Sequence, residues 1–318
     1  HRDLHSFPTR RSSDLGREAW RAPVFVDATG DGDLGALAGC AYDIGRGGDG
    51  CECQPLTLNA AVVARDAALL KDFISFQGGS SIHIPAVMKF REELKRAGVE
   101  TSYGHPTLFQ ARGNLLTFMI NHEYGVRPDD ERQLTAATLR ARAEVHRIAA
   151  ALRALGGAWE GFQVVATAEQ IGVRDGRRIR GRFTVTRDDL AAGARHEDGV
   201  ARVTFPVDIH ATSRAKNDAE PISHGNLKFK PYDIPMRALV ARDVDGLLTA
   251  GRCISGDFMA HASYRVTGNS VATGEAAGAV AALAVASGKP PHEIAWTDAE
   301  AALRKAGLRN DAAAAPKG

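Results

Sequence analysis

The hydrophobic and polar positions of the chain predict two strand–turn–helix units, one near each end. Ala22 to Ala28 is an apolar run broken only by Asp27, which is typical of a strand buried in a parallel sheet. Glycines follow at once, and residues 34–41 then predict a short helix. Leu247 to Ala250 is a second short apolar strand, and residues 269–287 predict a helix rich in alanine and glycine. The two ends together suit one nucleotide-binding domain.

The middle of the chain mixes helical and strand patterns, which suggests a substrate domain inserted into the nucleotide-binding domain. Pro85 can begin a helix that Gly98 ends, and residues 131–155 repeat apolar positions at helical spacing behind Asp129 or Asp130 as the cap. The predicted helices are residues 85–97, residues 131–155, a short helix behind Thr186 with Asp189, and a last helix behind the capping box Thr297–Glu300. The predicted strands are residues 56–64, 162–167, 182–186 and 203–209.

Composition places the chain among globular proteins that are long enough for two domains. It has 318 residues, of which 44% are hydrophobic and 25% are charged, and its net charge is +2. A charge so close to zero predicts no nucleic-acid partner and no anionic membrane surface. The apolar stretch 271–286 contains Glu275 and is short for a bilayer, so we expect a buried helix there and no membrane span. The sequence sets no oligomeric state.

The four cysteines predict reduced thiols. Cys51 and Cys53 are too close in sequence for an ordinary disulfide, and no second pair completes a zinc site with them. Cys253 lacks a partner at C-x-x-C spacing, and Cys40 stands alone. Because reduced thiols are typical of cytosolic proteins, we expect a cytoplasmic location, and we predict no metal.

Residues 1–15 do not look like the start of a domain. They contain five Arg or His residues before Asp14, no hydrophobic period and no apolar core of a signal peptide. They resemble a translated sequencing adapter, and we therefore predict a non-native leader there.

The stretch from Gly30 to Gly35 matches the dinucleotide pattern G-x-G-x-x-G. A pyrophosphate held there would lie beside Asp31 and Asp33, whose negative charge would repel it. Counted as a calcium loop from Asp27, the stretch has Ala38 where a bidentate glutamate belongs. Two alternatives stay open on this pattern: an NAD(P)-dependent Rossmann oxidoreductase and a non-enzymatic calcium-binding module.

A third interpretation comes from three stretches taken together. The stretch from Asp27 to Asp31, DATGD, resembles the second ATG(D) motif of flavoproteins with a glutathione-reductase-type FAD domain. The stretch 251–257, GRCISGD, before its Ala/Gly-rich helix, resembles the C-terminal FAD motif of FAD-dependent oxidoreductases related to fumarate reductases and glucose-inhibited-division-type flavoproteins. Residues 172–186 resemble the family segment GxRxxRRIxGxYxLT, and residues 208–210 its D-I-H strand. These stretches stand in the family's order over most of residues 22–290.

The resemblance implies an α/β fold: a partial FAD/NAD(P)-binding Rossmann-like domain with an inserted mixed α+β substrate domain. In the family the phosphate-binding G-x-G-x-x-G lies well upstream of the ATG(D) motif, and no such turn stands before Asp27 in this sequence, which implies a fragment that lacks its first βαβ unit. The expected domains are FAD-binding residues 16–50 and 240–295, substrate-domain residues 51–239, and a C-terminal helix and tail at residues 296–318. A strand 24–28 in the same sheet as strand 247–251 would favour flavin over the two alternatives.

The same resemblance implies FAD as cofactor, a small-molecule substrate as partner, and hydride transfer between a small organic substrate and flavin. His210, at the end of an apolar strand, is expected to hold substrate or move a proton. Arg265 is expected to bind a substrate oxygen or an FAD phosphate, and Arg178 is a further candidate. His261 and Tyr264 share the predicted loop with Arg265 and are also candidates. The expected cofactor-binding residues are Ala28, Thr29, Gly30, Asp31, Gly251, Arg252, Ser255, Gly256, Asp257, Gly268, Asn269 and Ser270.

Overall fold

The computed structural model describes residues 7–13, 16–47, 51–76, 82–219 and 222–308. The strands are β1 (Phe7–Ser13), β2 (Gly16–Trp20), β3 (Phe25–Asp27), β4 (Tyr42–Asp43), β5 (Ala60–Val63), β6 (Ile74–Phe76), β7 (Thr107–Arg112), β8 (Leu115–Met119), β9 (Gln163–Thr167), β10 (Arg178–Ile179), β11 (Gly199–Val203), β12 (Ile209–His210), β13 (Ile222–Ser223), β14 (Tyr232–Pro235) and β15 (Leu247–Thr249). The α-helices are α1 (Asp33–Leu37), α2 (Ile84–Arg96), α3 (Glu131–Ala154), α4 (Arg187–Ala192), α5 (Arg214–Ala219), α6 (Phe258–Tyr264), α7 (Thr267–Ser287) and α8 (Trp296–Lys305).

The chain divides into two compact units. The first unit comprises residues 1–51, 175–209 and 224–318, and the second comprises residues 52–174 and 210–223. The first unit takes in most of the chain after residue 174, much of which the sequence assigned to a substrate domain. The reason is strand pairing, because β10 pairs with β4 and β11 pairs with β14, so the returning chain completes the first unit's sheets.

The first unit is built around short sheets and the helices α7 and α8. β3 and β15 run parallel, and the pairs β4–β10 and β11–β14 run antiparallel. Its main core joins apolar side chains of β11, β14 and β15 to α6, α7 and α8, with Tyr232 and Tyr264 among the largest buried side chains. β1 and β2 form a separate antiparallel pair where the sequence predicted no element for residues 7–13.

The second unit is a five-stranded sheet with two helices against it. The strand order is β6-β7-β8-β5-β9, in which β6 and β7 are parallel and the other neighbours are antiparallel. Its core holds a cluster of aromatic rings, with Trp159 and Phe90 stacked at 5.8 Å and Trp159 edge-on to Phe162 at 5.1 Å. Apolar side chains of α2 and α3 complete this core, which explains the helical spacing of their hydrophobic residues.

The long periodic helices of the sequence are confirmed. α2 begins one residue before Pro85, and α3 begins behind Asp130, whose side chain accepts the backbone N–H groups of Arg132 and Gln133. The predicted capping box of Thr186 and Asp189 at α4 is also present. These elements depend on nearby residues alone, which is why the sequence predicts them well.

Several local predictions are wrong. Residues 182–186 do not form a strand, since Val185 makes one bridge with Gly256 and no ladder. The predicted strand 203–209 is replaced by β11 and β12 on either side of it, and α8 begins at Trp296 without the predicted capping box. β3 is not covered on both faces, because Val26 is 36% exposed. The hairpin of β7 and β8 was not predicted.

α7 is more exposed than the sequence predicted. Its length and composition would allow it to cross a membrane, and 28% of its most apolar stretch is buried. The prediction of a buried helix is therefore wrong, although one apolar helix gives weak support for a membrane span.

The cysteines also differ from the prediction. Cys51 and Cys53 are disulfide-bonded, whereas Cys40 and Cys253 are free and buried. Cys51 has a φ of 37°, a backbone conformation that residues other than glycine rarely adopt. Burial raises the pKa of the Cys253 thiol to about 12 and that of Cys40 to about 11, which makes both poor nucleophiles.

Leu152→Ala should destabilise the protein far more than Leu139→Ala, although both substitutions lie in α3. Leu152 is fully buried in the second core, whereas Leu139 is 62% exposed. Truncating a buried leucine costs about 2–5 kcal/mol of the free energy of unfolding, and an exposed substitution changes it by about 0.5 kcal/mol or less. Urea unfolding followed by tryptophan fluorescence measures both variants, and equal losses would contradict the assigned burial.

Candidate flavin site

Two turns meet at the carboxyl ends of β3 and β15. The two strands are in parallel register, with Asp27 opposite Thr249, and the Ala250 N–H donates to the Asp27 carbonyl at 2.9 Å. The condition set by the sequence for a flavin site, that both strands lie in one sheet, is therefore met. Ligands of α/β proteins bind at the carboxyl ends of parallel strands, so the residues that follow β3 and β15 form the candidate site.

Arg252, in the turn after β15, forms an ion pair with Asp31 in the turn after β3. Its Nη2 lies 2.9 Å from Asp31 Oδ1. Gly30 has a φ of 80°, and a Cβ at this position would lie 2.6 Å from Arg252 Nη2, so glycine lets the guanidinium lie against the turn. Burial raises the pKa of the Asp31 carboxyl, and the positive charge of Arg252 opposes that rise.

Asp27 shapes the first turn from inside. Its Oδ1 accepts the N–H and the hydroxyl of Thr29 at 3.0 and 2.7 Å, and its Oδ2 accepts the N–H of Gly35 at 2.8 Å. The Thr29 hydroxyl accepts the N–H of Asp33 at 3.0 Å, and Ala28 stays exposed beside it. Asp27 is fully buried, so the one charged residue of the apolar run closes the turn, a role that the sequence analysis missed.

The G-x-G-x-x-G match does not form a phosphate turn. A Cβ on Gly32 would lie 2.9 Å from the carbonyl of Arg177, and a Cβ on Gly35 would lie 2.6 Å from Cδ1 of Ile179. Protein atoms therefore occupy the space that these glycines leave open. α1 is five residues long, and β4 after it pairs antiparallel with β10 instead of extending the β3–β15 sheet. This geometry does not support the NAD(P) alternative, which needs a βαβ unit here.

The carboxylates of the same stretch do not converge on a cation. Asp27 binds its own turn, Asp31 pairs with Arg252, and Asp33 pairs with Arg177. Within the described part of the chain, no three His, Cys, Asp or Glu residues are placed to hold a metal. The geometry therefore gives no support to the calcium alternative.

Residues 255–257 make hydrogen bonds and packing contacts with other residues of the chain. Ser255 Oγ lies 3.1 Å from Thr184 Oγ1, and Asp257 caps α6 by accepting a backbone N–H at 2.8 Å. A Cβ on Gly256 would lie 2.5 Å from the ring of Tyr264, so the ring excludes any larger residue. Their expected contact with FAD stays a prediction, and the structure gives each of them a second role in the fold.

The N-terminus of α7 carries the last group of expected cofactor residues. Ser270 Oγ donates to the backbone within the helix at 3.3 Å, and Asn269 Nδ2 is buried with no hydrogen-bond partner among the described residues. A Cβ on Gly268, Gly274 or Gly278 would meet no atom within 4 Å. Gly274 and Gly278 therefore face open space and do not serve close packing of α7.

A buried charge cluster joins two of the expected catalytic arginines to residues that the sequence analysis did not commit to. Arg178 Nε and Nη2 donate to the carbonyls of Gly256 and Gly45, both at 2.9 Å. Arg265 Nη1 lies 3.6 Å from Asp175 Oδ1, and His261 Nδ1 lies 3.4 Å from the same oxygen. The further contact of Arg265 is with the carbonyl of Asp208, at 2.7 Å.

His261 is neutral at neutral pH. Complete burial lowers its pKa to about 4, and the carboxylate of Asp175 opposes this shift while the charge of Arg178 adds to it. Asp175 therefore meets one fixed cation, Arg265, and one neutral imidazole. No local sequence motif predicts the contact between Asp175 and His261, because the two residues are 86 positions apart.

His210, the third expected catalytic residue, lies in the second unit. Its backbone N–H donates to Gln54 Oε1 at 2.7 Å, and its ring is edge-on to that of His122 at 5.1 Å. His210, Gln54 and His122 are all buried. The residues around His210 are spread from position 54 to position 210, so sequence reasoning had no signal for them.

Three side-chain donors in the first unit fit a bound ligand rich in acceptors. Arg178 Nη1, Arg252 Nε and Asn269 Nδ2 are buried and have no hydrogen-bond partner among the described residues. All three belong to the stretches expected to meet the cofactor or the substrate. Buried donors without acceptors are costly, and the phosphates, hydroxyls and carbonyls of FAD are acceptors of the kind they lack.

These features define an α/β protein with a candidate ligand site on the turns that follow two parallel strands. The model of the family described as FAD dependent oxidoreductase matches residues 5–305. The chain therefore belongs to this family: it is a flavin-dependent oxidoreductase, and its cofactor is FAD. Searches of curated proteins and of solved structures found no match to it.

Gly30→Ala should destabilise the protein, whereas Gly268→Ala should not. Alanine at position 30 would need a φ near 80° and would press on Arg252, at a cost of roughly 1–3 kcal/mol. Position 268 is in a helix with open space around it, so alanine there should be neutral or slightly stabilising. Thermal unfolding of both variants without added FAD is the measurement, and a neutral Gly30→Ala would contradict the packing of Arg252 on the turn.

His261→Gln should make the protein less sensitive to acid. The wild-type imidazole binds a proton near pH 4 when folded and near pH 6.5 when unfolded. The unfolded chain therefore holds the extra proton between these values, so the stability that neutral His261 contributes is complete above about pH 6.5 and is lost as the pH falls towards 4. The wild type should lose on the order of 2 kcal/mol more than the variant between pH 7 and pH 5.

Urea unfolding at several pH values measures this difference. His146→Gln, on the exposed face of α3, is the matched control and should keep the wild-type dependence. The same pH dependence in wild type and His261→Gln would overturn the assignment of a buried neutral imidazole.

Proposed function

We propose that this FAD-dependent oxidoreductase transfers a hydride between a small organic substrate and its flavin, with the cofactor held on the turns after β3 and β15. The observation that carries the proposal is the set of buried donors of Arg178, Arg252 and Asn269 that have no acceptor within the described part of the chain. Each comes from a different stretch, and each would gain an acceptor when FAD binds. Bound FAD supplies the hydride chemistry, and the protein supplies binding, orientation and proton transfer.

The proposed cofactor residues fall into three groups: backbone in open turns, N–H groups at a helix N-terminus, and side chains that hold other residues in place. Backbone atoms of residues 28, 29 and 251 lie in glycine-containing turns that a ligand can approach closely, whereas Arg252 occupies the space at Gly30. The N-terminus of α7 has no side-chain cap, so the N–H groups of Gly268 and Asn269 are available to a polar ligand, whereas the Ser270 N–H donates to the Val266 carbonyl at 3.1 Å. Asp31 and residues 255–257 would act by holding Arg252, Arg178 and α6 in place.

We propose Arg178 and Arg265 as the charged residues that orient substrate or flavin oxygens. Both are buried at the side chain, and a guanidinium can bind carboxylate or carbonyl oxygens in a fixed plane. Asp175 and Asp208 lie beside Arg265 and fix its direction. His210 is proposed to bind substrate or to move its proton, since histidine is the side chain that changes charge most readily near neutral pH.

A glutathione-reductase-type, Rossmann-like domain without its first βαβ unit is the proposed setting of this site. β3 has one partner strand among the described residues, β15, which leaves its other edge available to a further strand. Residues 30–35 are given no part in binding the pyrophosphate, because Arg252, Arg177 and Ile179 fill the space at their glycines. A cytoplasmic location stays a prediction, and the reduced thiols on which it depends are Cys40 and Cys253.

FAD binding tests this proposal directly. Adding FAD to the protein should give a bound yellow complex and raise its melting temperature. Asn269→Asp, which replaces a buried donor by an acceptor of the same shape, and Arg178→Met, which removes one charged donor, should each weaken FAD binding about 10- to 100-fold. Quenching of flavin fluorescence in a titration measures the dissociation constants.

Arg180→Gln is the matched control for Arg178→Met. Arg180 is two residues away, but it is exposed and pairs with Asp43, so its loss should leave FAD affinity unchanged. A protein that FAD neither colours nor stabilises would refute the flavin site. Equal effects of the Arg178 and Arg180 substitutions would refute its location.

A further inference from the structure

A group of buried rings surrounds His210 in the second unit. The ring centroid of His122 lies 4.0 Å from that of Tyr103, 5.6 Å from that of Tyr124 and 5.1 Å from that of His210. Tyr103 and His210 are themselves 6.1 Å apart. His122 is therefore the residue on which the other rings of this group pack.

Both ring nitrogens of His122 are engaged. Arg174 Nη2 lies 3.3 Å from His122 Nε2, and the Tyr124 hydroxyl lies 3.3 Å from His122 Nδ1. The Tyr124 hydroxyl donates to the carbonyl of Ser102 at 3.1 Å. The His122 backbone N–H is also held, by the hydroxyl of Ser102 at 2.9 Å.

The chemistry of the two ends fixes the direction of this chain of hydrogen bonds. Arginine can only donate, so His122 Nε2 must accept and carries no proton. A carbonyl can only accept, so the Tyr124 proton points to Ser102, and the Tyr124 oxygen accepts the proton of His122 Nδ1. One tautomer of His122, with the proton on Nδ1, satisfies every group.

A second proton on His122 would break this chain. It would have to enter at Nε2, where Arg174 already donates and where its guanidinium repels a further positive charge. Burial, Arg174, His210 and Arg214 all lower the pKa of His122. The nearby carboxylates are engaged by other groups, since Glu123 pairs with Arg140 and Glu144 accepts hydrogen bonds from the N–H and hydroxyl of Ser102.

We propose that His122 is a permanently neutral positioning residue, locked as the Nδ1–H tautomer between Arg174 and Tyr124, and that its edge-on ring sets the orientation of His210 as the proton-transferring histidine of the second unit. The role of His210 rests on the proposed function, whereas the state of His122 does not. Gln54 holds the backbone of His210 and His122 holds its ring, so the two contacts together fix one side-chain direction.

Nuclear magnetic resonance of the whole protein labelled with nitrogen-15 histidine tests the proposal without FAD or substrate. His122→Gln identifies the His122 signals by their loss. In the wild type, long-range proton–nitrogen correlations should show a protonated Nδ1 and an unprotonated Nε2 for His122, with no change between pH 5 and pH 8. A proton on Nε2, or signals that move with pH, would overturn the proposal.

Variants of Arg174 and of His122 itself distinguish the effect of the hydrogen bonds of His122 from the effect of its ring packing. Arg174→Met removes the donor and the charge, so the proton of His122 should no longer be confined to Nδ1, and signals of the Nε2-protonated tautomer should appear while the buried ring stays neutral. His122→Phe keeps the ring, and it should keep the His210 nitrogen shifts closer to wild type than His122→Ala does. Identical His210 shifts in both ring variants would show that His122 does not orient His210.

These outcomes are distinct from a failure of the flavin proposal. If FAD does not bind, the tautomer of His122 is still measured. If FAD binds but His122 takes up a proton, the flavin site stands and the positioning role is lost.

Discussion

The parallel pairing of β3 with β15 is the contact on which the first unit depends. It brings Asp31 and Arg252, 221 positions apart in the sequence, to 2.9 Å. The guanidinium of Arg252 can lie there because Gly30 has no side chain, and Asp27 holds the turn in the required shape. Two motifs that are short and unspecific by themselves become one structural feature once the strands are paired.

Buried charge is the second constraint, and the buried arginines of the two units have different kinds of hydrogen-bond acceptor. In the first unit Asp175 lies between Arg265 and a neutral His261, so a carboxylate and a guanidinium share an apolar setting. In the second unit Arg174 donates to carbonyl, hydroxyl and imidazole acceptors. In both units a histidine stays uncharged because a cation lies nearby and water does not.

The neutral state of these buried histidines is relevant to the reaction class of the family. An enzyme that moves a hydride to flavin needs one group whose proton can move and others whose charge stays constant. His261 and His122 have pKa values lowered by burial and by arginines, so they are suited to the constant role. His210 is the histidine that we propose for proton transfer.

The sequence by itself determined the amphipathic helices α2 and α3, the capping box at Thr186, and the order of the flavin motifs. Each of these depends on residues that are neighbours along the chain or on a helix face. Tertiary structure alone decided that Gly32 and Gly35 pack against Arg177 and Ile179, and which residues meet Asp175 and His122. Those contacts join residues far apart in sequence, and their strength comes from burial, which no local pattern of residue types records.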